Sequence, residues 1–267
     1  MTNQTILETA KTIAREAGSL IKTGFYADKA VSLKSSDIDL VTNYDIEAEA
    51  LIRKRLRAAF PDHLIVGEEE GADQGDSPHV WYVDPIDGTT NFAHGLPFFC
   101  VSLGMFSNNK PAVGVIFDPI HDELFFASMG DGAFLQTADG SPQPLKISQT
   151  SSIGQALLGT GFAYDRASSD LDNLAQVNRI VKQCRGLRRL GSAALDLAYV
   201  AAGRLDGFWE YKLNMYDVAA GIVMMLEAGG QVCNIFDGQP IQPEDVVHLV
   251  ASNEALQAPL LALLNDG

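Results

Sequence analysis

The sequence predicts a mixed α/β protein, with antiparallel strands dominating its first half and strand–helix alternation its second. Three observations carry this reading. In the opening segment, Ile6, Ala10, Ile13, Ala14, Ala17, Leu20 and Ile21 recur at the three- and four-residue steps of a helix. Residues 98–106, 111–118 and 123–127 are β-prone runs separated by short polar turns, the pattern of an antiparallel meander. From residue 156 onward, short apolar runs alternate with helical patterns.

Taken in order, Thr5-x-x-Glu8 reads as a capping box for the first helix, and Gly24 as its end. The pieces 31–33 and 40–42 are β-prone and flank a polar segment, 34–39, expected as a mobile hairpin or loop. A second helix is expected over 45–59, burying Ala48, Leu51, Ile52, Leu56 and Ala59, with Pro61 beyond its end. A strand at 64–67, an acidic loop over 68–79 and a strand at 80–83 follow. The meander turns at 107–109 and 119–121, and 130–135 and 145–147 extend the β-rich part. Residues 137–144, rich in Gly, Ser and Pro, mark a boundary between subdomains at 1–140 and 141–267. Beyond it we expect a strand at 156–160 and helices at 169–183 and 192–202, the second with Gly203 as its C′ residue. A strand at 208–211, a helix at 217–228 closed by Gly229-Gly230, strands at 232–235 and 247–251, and a helix from Asn253 complete the chain.

Composition narrows the function. With 267 residues, 46% of them hydrophobic and 20% charged, the chain has material for one large domain or two packed subdomains. No apolar run approaches the roughly 18 residues of a membrane span. The N-terminus lacks a basic region followed by an apolar block, so a cytoplasmic protein is expected. Cys100, Cys184 and Cys233 are too far apart for a C-x-x-C site, and an odd number argues against a disulfide framework. The five histidines show no H-x-x-x-H spacing, which argues against a zinc hydrolase. A net charge of −15 makes direct binding to nucleic acid or to an anionic membrane unfavourable. A small phosphate ester meets the same repulsion unless divalent cations reverse the local charge.

The stretch Trp81-Tyr82-Val83-Asp84-Pro85-Ile86-Asp87-Gly88-Thr89-Thr90-Asn91-Phe92 carries most of the chemistry. A β-prone run delivers two carboxylates onto a Pro-containing turn, and Gly-Thr-Thr can open a helix. Carboxylates suit hard divalent cations, and free amides at Gly88 and Thr89 suit a phosphate oxygen. A strand, an Asp-Pro turn and an N-cap threonine describe the same residues without any function. Asp45 and Asp217 each read equally well as acids at a helix start, and Glu68-Glu69-Glu70 as a solvated loop. Together, Glu68, Asp84, Asp87 and Asp217 supply oxygen ligands for two or three Mg²⁺ ions, enough for a two-metal phosphoryl-transfer site.

These residues resemble the signatures of the inositol monophosphatase family. WYVDPIDGTTNF is similar to its D-P-[IL]-D-G-T-x-N-[FY] pattern, and 217–230 to its second signature, W-D-x-A-[AG]-G ending in E-A-G-G. Gly67-Glu68-Glu69 and Gly191-Ser192-Ala193-Ala194 with Asp196-Leu197-Ala198 match two supporting motifs, in order from about residue 5 to 255. The resemblance implies a layered αβαβα sandwich of the inositol monophosphatase / fructose bisphosphatase type. It also implies frequent homodimerisation and inhibition by lithium. By the same resemblance, Glu68, Asp84 and the Ile86 carbonyl would hold a first metal, and Asp84, Asp87 and Asp217 a second. Asp45, Thr89 and Glu68 would form the catalytic group, Thr89 on Asp45 orienting and helping to deprotonate the attacking water. The Gly88 and Thr89 amides would bind phosphate, with Asp87 and Asp217 bordering it. Gly191, Ser192, Ala193 and Glu210 would face a sugar or polyol ring. Most of the metal ligands then belong to 1–140, and 141–267 completes the pocket.

Tyr216 stands where the family usually carries Trp. Lys34 matches a family lysine near the metals, or is a solvated loop lysine. Arg185, Arg188 and Arg189 either recognise a second phosphate or a partner surface, or are simply exposed. The expected activity is Mg²⁺-dependent hydrolysis of an inositol monophosphate. Related sugar or nucleotide phosphatases, and a regulatory protein-interaction role, are the alternatives.

Overall fold

The structure, a computed structural model, describes residues 2–34, 39–138, 140–243 and 246–266. Helix α1 (Asn3–Phe25) begins earlier than expected: Thr2 is its N-cap and accepts from the Thr5 amide, so Thr5 lies inside the first turn. Strands β1 (Val31–Leu33) and β2 (Leu40–Thr42) pair antiparallel, and residues 35–38 of the expected hairpin lie outside the described residues. Helix α2 (Asn43–Ala59) is capped by Thr42, which puts Asp45 at the third helical position of a capping box.

An eight-stranded sheet follows: β3 (Leu64–Gly67), β4 (Gly71–Ala72), β5 (His79–Asp87), β6 (Cys100–Ser107), β7 (Lys110–Asp118), β8 (Glu123–Ser128), β9 (Gly132–Gln136) and β10 (Gln143–Pro144). Only β3 and β5 pair parallel; every other neighbouring pair is antiparallel, as the meander reading requires. The short helix α3 (Thr89–His94) lies between β5 and β6.

The second sheet is mixed. Strands β11 (Leu157–Thr160), β12 (Gly186–Arg188) and β13 (Gly207–Leu213) pair parallel, while β14 (Gln231–Asn234) and β15 (Val247–Ser252) run antiparallel at its other side. Helices α4 (Leu174–Ile180), α5 (Ala193–Ala201), α6 (Met215–Glu227) and α7 (Glu254–Asn265) complete the order. Helix α4 is much shorter than the 169–183 expected, and β12 was not expected at all.

Strand alternation sorts the side chains into layers. Trp81 and Val83 of β5 face α1 and α2, while Tyr82 faces α5 and α6. Phe208 of β13 faces that same middle layer, and Trp209 and Tyr211 face α4 and α7. Helices, sheet, helices, sheet, helices: this is the αβαβα sandwich. Helix α6 sits unusually close to the first sheet because Gly104 and Gly114 oppose each other there. A Cβ on Gly104 would lie 2.5 Å from the Ala219 Cβ, and one on Gly114 would lie 2.5 Å from the Ala220 carbonyl oxygen.

Candidate active site

Residues three apart in a regular strand face opposite sides of the sheet. Asp84 and Asp87 escape this because β5 carries a bulge: Asp84 pairs with Ser102 but Asp87 with Cys100, three residues set against two. The expected Asp-Pro turn is therefore a bulged strand that continues through Asp87. The irregularity also accommodates Pro85, which cannot donate to a ladder. Both carboxylates line one cavity of about 270 Å³, together with Glu68, Glu210 and Asp217. Gly88 then turns the chain at φ 101°, and a Cβ there would come within 3.0 Å of the Phe98 carbonyl oxygen and 3.2 Å of that of Gly191. No side chain fits.

One stripe of α2 supports the cavity from behind. Asp45, Glu49 and Arg53, at four-residue spacing, are all buried. Asp45 Oδ1 accepts from the Thr89 hydroxyl at 2.8 Å, and its Oδ2 accepts from the Thr42 amide and hydroxyl. The Glu49 carboxylate accepts the Glu69 amide at 2.7 Å, the Glu70 amide at 3.0 Å and Arg53 Nε at 2.7 Å. Arg53 in turn reaches Asp73 and the Gly71 carbonyl. The turn presenting Glu68 is thus pinned to a helix.

Asp87 ties the first sheet to helix α5. Its carboxylate accepts from the Ser192 hydroxyl and the Ala194 amide, each at 2.6 Å, and caps the N-terminus of α5. Gly191, Ser192 and Ala193 line the cavity, but the Ser192 hydroxyl is committed to Asp87. Asn91 adds a second stitch, donating to the carbonyls of Phe98 and Leu190 at 2.8 Å each. Asp217 sits at the third position of α6 and accepts the Asn214 amide at 2.6 Å, repeating the capping box of Asp45.

Among the described residues, seven carboxylates line the cavity against three cations, Lys34, Arg189 and Lys212. Burial pushes Asp84 and Asp217 well above the usual carboxylate range, and their acidic neighbours push further. Burial likewise raises Asp87 to about 6, against donations from Ser192 and Ala194, and Glu210 to about 8. Glu68 is also raised by burial, partly offset by Lys34. Lys34 is not a solvated lysine: its ammonium bonds Glu68 at 2.8 Å and Glu69 at 2.6 Å. All three arginines, Arg185, Arg188 and Arg189, are exposed, and Arg189 also lines the cavity mouth beside Gly191.

Comparison with known proteins decides what this arrangement belongs to. The inositol monophosphatase family model matches residues 2–266. The chain belongs to the inositol monophosphatase family. It is 42% identical over 239 residues to the inositol-1-monophosphatase of Synechocystis sp., covering 89% of this chain and 81% of that one. It is 40% identical over 250 residues to Nus factor SuhB of Pasteurella multocida, covering 92% and 91%. The structure of inositol monophosphatase from Anabaena superposes with a TM-score of 0.86 at 38% identity, covering 98% of this chain and 95% of that one. The protein is a phosphatase of this family.

The residues of this inositol monophosphatase-family site suit hard cations. Its donors are oxygens, and its carboxylates repel one another in partial burial. Among the described residues, no three acidic, histidine or cysteine side chains stand grouped closely enough to hold a metal ion as they are placed. In the same arrangement, the Lys34 ammonium occupies Glu68. Sequence reasoning overlooked Glu49, Arg53 and Asn91. The four-residue spacing Asp45–Glu49–Arg53 was the signal for the first two.

Proposed function

We propose that this phosphatase is Mg²⁺-dependent and releases phosphate from an inositol monophosphate, or from a similar ring polyol phosphate. One observation carries the reading: Glu68, Asp84, Asp87 and Asp217 line a single cavity beside the Thr89–Asp45 hydrogen bond. Glu68, Asp84 and the Ile86 carbonyl would hold one ion, and Asp84, Asp87 and Asp217 a second. Bound there, Mg²⁺ supplies charge stabilisation for the phosphate and the departing alkoxide, and acidifies water. Thr89 donates to Asp45, so its lone pairs are free to accept from a water and orient it. Asp45 is the base to which the proton passes by way of Thr89. The Gly88 and Thr89 amides bind the phosphate oxygens. The water oxygen bonds to phosphorus as the ester P–O bond breaks, giving inorganic phosphate and the alcohol.

In this reading, 1–140 supplies Asp45, Glu68, Asp84, Asp87 and Thr89, while 141–267 supplies Asp217 and the ring contacts of Gly191, Ser192, Ala193 and Glu210. The enzyme works in the cytoplasm as a homodimer and is inhibited by lithium. Phosphate release measured across inositol phosphates, fructose 1,6-bisphosphate, adenosine 3′,5′-bisphosphate and histidinol phosphate, with and without Mg²⁺, tests it. Turnover that survives chelation overturns the metal dependence, and a preference for a nucleotide or histidinol ester overturns the substrate.

The relatives called Nus factor SuhB favour a second reading, a regulatory role through protein contacts. The net charge of −15 speaks against direct nucleic-acid contact and permits protein partners. Survival of the cellular phenotype in Asp84→Asn would favour that role over catalysis.

A further inference from the structure

The wall of the cavity formed by Gly161, Phe162, Ala163 and Tyr164 belongs to a segment, 161–172, that contains no helix or strand. Two residues outside that wall hold it, and both take the left-handed backbone conformation that side-chain-bearing residues rarely adopt. Asn173 has φ 68° and Lys212 has φ 59°.

Asn173 stands at the foot of the segment and is buried. Its amide nitrogen donates to Thr160 Oγ1 at 2.9 Å and to the Gly161 carbonyl at 2.7 Å, and its oxygen accepts from Trp209 Nε1 at 2.8 Å. Thr160 closes the ring by donating to the Trp209 carbonyl at 2.8 Å. An indole nitrogen only donates, so this arrangement fixes which way the amide faces. The ring ties the start of the wall directly to the residue before Glu210.

Lys212 holds the middle of the segment. It lies in a second bulge, where Glu210 pairs with Leu249 and Leu213 with Val247, three residues again set against two. From there its ammonium reaches Asp165 Oδ2 and Ser169 Oγ, each at 2.6 Å. A left-handed lysine costs free energy that glycine would not incur, and an outlier of this kind at a ligand cavity points to a role for the side chain.

We propose that Asn173 and Lys212 are specificity-positioning residues: they fix the 161–164 wall, whose first residue, Gly161, packs against the Glu210 carboxylate, so that the cavity selects ring polyol phosphates over small acyclic ones. This rests on the substrate reading above. Among the described residues, neither makes a hydrogen bond or ion pair to the four acidic ligands proposed for the metals, so phosphate chemistry continues while selection is lost.

The test uses Lys212→Gly, which relieves the backbone conformation as it removes the ammonium, alongside Lys212→Arg and Asn173→Ala. With saturating Mg²⁺, KM for inositol 1-phosphate should rise about tenfold in Lys212→Gly, while kcat stays within about twofold. Turnover of glycerol 2-phosphate should be unchanged in Asn173→Ala, which lies outside the cavity lining, and Lys212→Arg should restore most of the loss seen in Lys212→Gly. Hydrogen exchange over 161–172 should accelerate in Lys212→Gly and Asn173→Ala without global unfolding. Equal losses on both esters would overturn the proposal, as would unchanged exchange in that segment. A wild-type enzyme inactive on every ring polyol phosphate overturns the substrate reading instead, and the exchange experiment still decides whether these residues hold the wall.

Discussion

The Thr89 hydroxyl donates to Asp45 Oδ1 at 2.8 Å, across the junction between the bulged strand β5 and the buried stripe of α2. The same hydroxyl oxygen lies 2.9 Å from the Ile86 carbonyl oxygen. Removing it takes away the hydroxyl proposed to orient water but leaves the carboxylates in place. Thr89→Ala is expected to lower kcat by about 10²–10⁴-fold with little change in KM, whereas Thr89→Ser keeps most of the activity. Steady-state kinetics with equal kcat for Thr89→Ala and wild type would remove Thr89 from the mechanism.

Asp84 tests the metal dependence through stability as well as rate. Its charge is buried beside those of Glu68, Asp87 and Asp217, so in chelator Asp84→Asn is expected to melt higher than wild type. Mg²⁺ at about 100 times its Kd stabilises by about 2.7 kcal/mol, which at about 2–4 °C per kcal/mol raises the wild-type Tm by several degrees. In the variant that rise should shrink and turnover should nearly vanish. Scanning calorimetry with and without Mg²⁺ reads both effects, and an equal Mg²⁺ response in the two proteins would exclude Asp84 as a ligand.

Glu210 gives the metal-free protein a pH dependence of definite sign. Burial lifts its carboxyl from the ordinary 4.5 to about 8. Between those values the native state keeps a proton that the unfolded chain has released, so stability declines as pH rises through the window. Asp87, lifted from 3.8 to about 6, acts in the same direction at its lower end. Tm measured in chelator should therefore fall from pH 5 to pH 8, and Glu210→Gln should flatten the upper part of the curve. A Tm that climbs over this range contradicts the assignment.

Glu49 is expected to matter without touching substrate. Glu49→Ala strips the buried Arg53 of its closest carboxylate and should cost about 3–5 kcal/mol. Glu49→Gln keeps the volume but weakens the hold on the Glu69 and Glu70 amides, so the Mg²⁺ concentration for half-maximal activity should rise while KM barely moves. Denaturant titration and a Mg²⁺ titration separate the two effects. Identical Mg²⁺ curves would mean that the turn holds Glu68 unaided.

Much of this site was readable before any coordinates, because short motifs place Asp84, Asp87 and Asp217 at element ends, where carboxylates can converge. The meander was equally legible, since alternating apolar runs and polar turns report a sheet locally. The bulge in β5 was not: a one-residue excess against β6 exists only once Asp84 finds Ser102 and Asp87 finds Cys100. Helix α4 proved shorter than its pattern because Asn173, taken as helical, is drawn into the buried ring with Thr160 and Trp209. Glu49 and Arg53 do not fit the apolar stripe that marks the buried face of α2 in the sequence, yet tertiary packing buries both. Lys34 acquired its role only when the fold brought Glu68 and Glu69 to it.

Gly104 and Gly114 let Ala219 and Ala220 rest almost on the main chain of the first sheet, and α6 carries Asp217. The gap between Asp217 and Asp84 is therefore set by backbone against backbone, a spacing inherited with the fold. The wall beside Glu210 is held by side-chain hydrogen bonds of Asn173 and Lys212, which single substitutions can replace. That wall can therefore be altered by substitution while α6 stays seated against the first sheet.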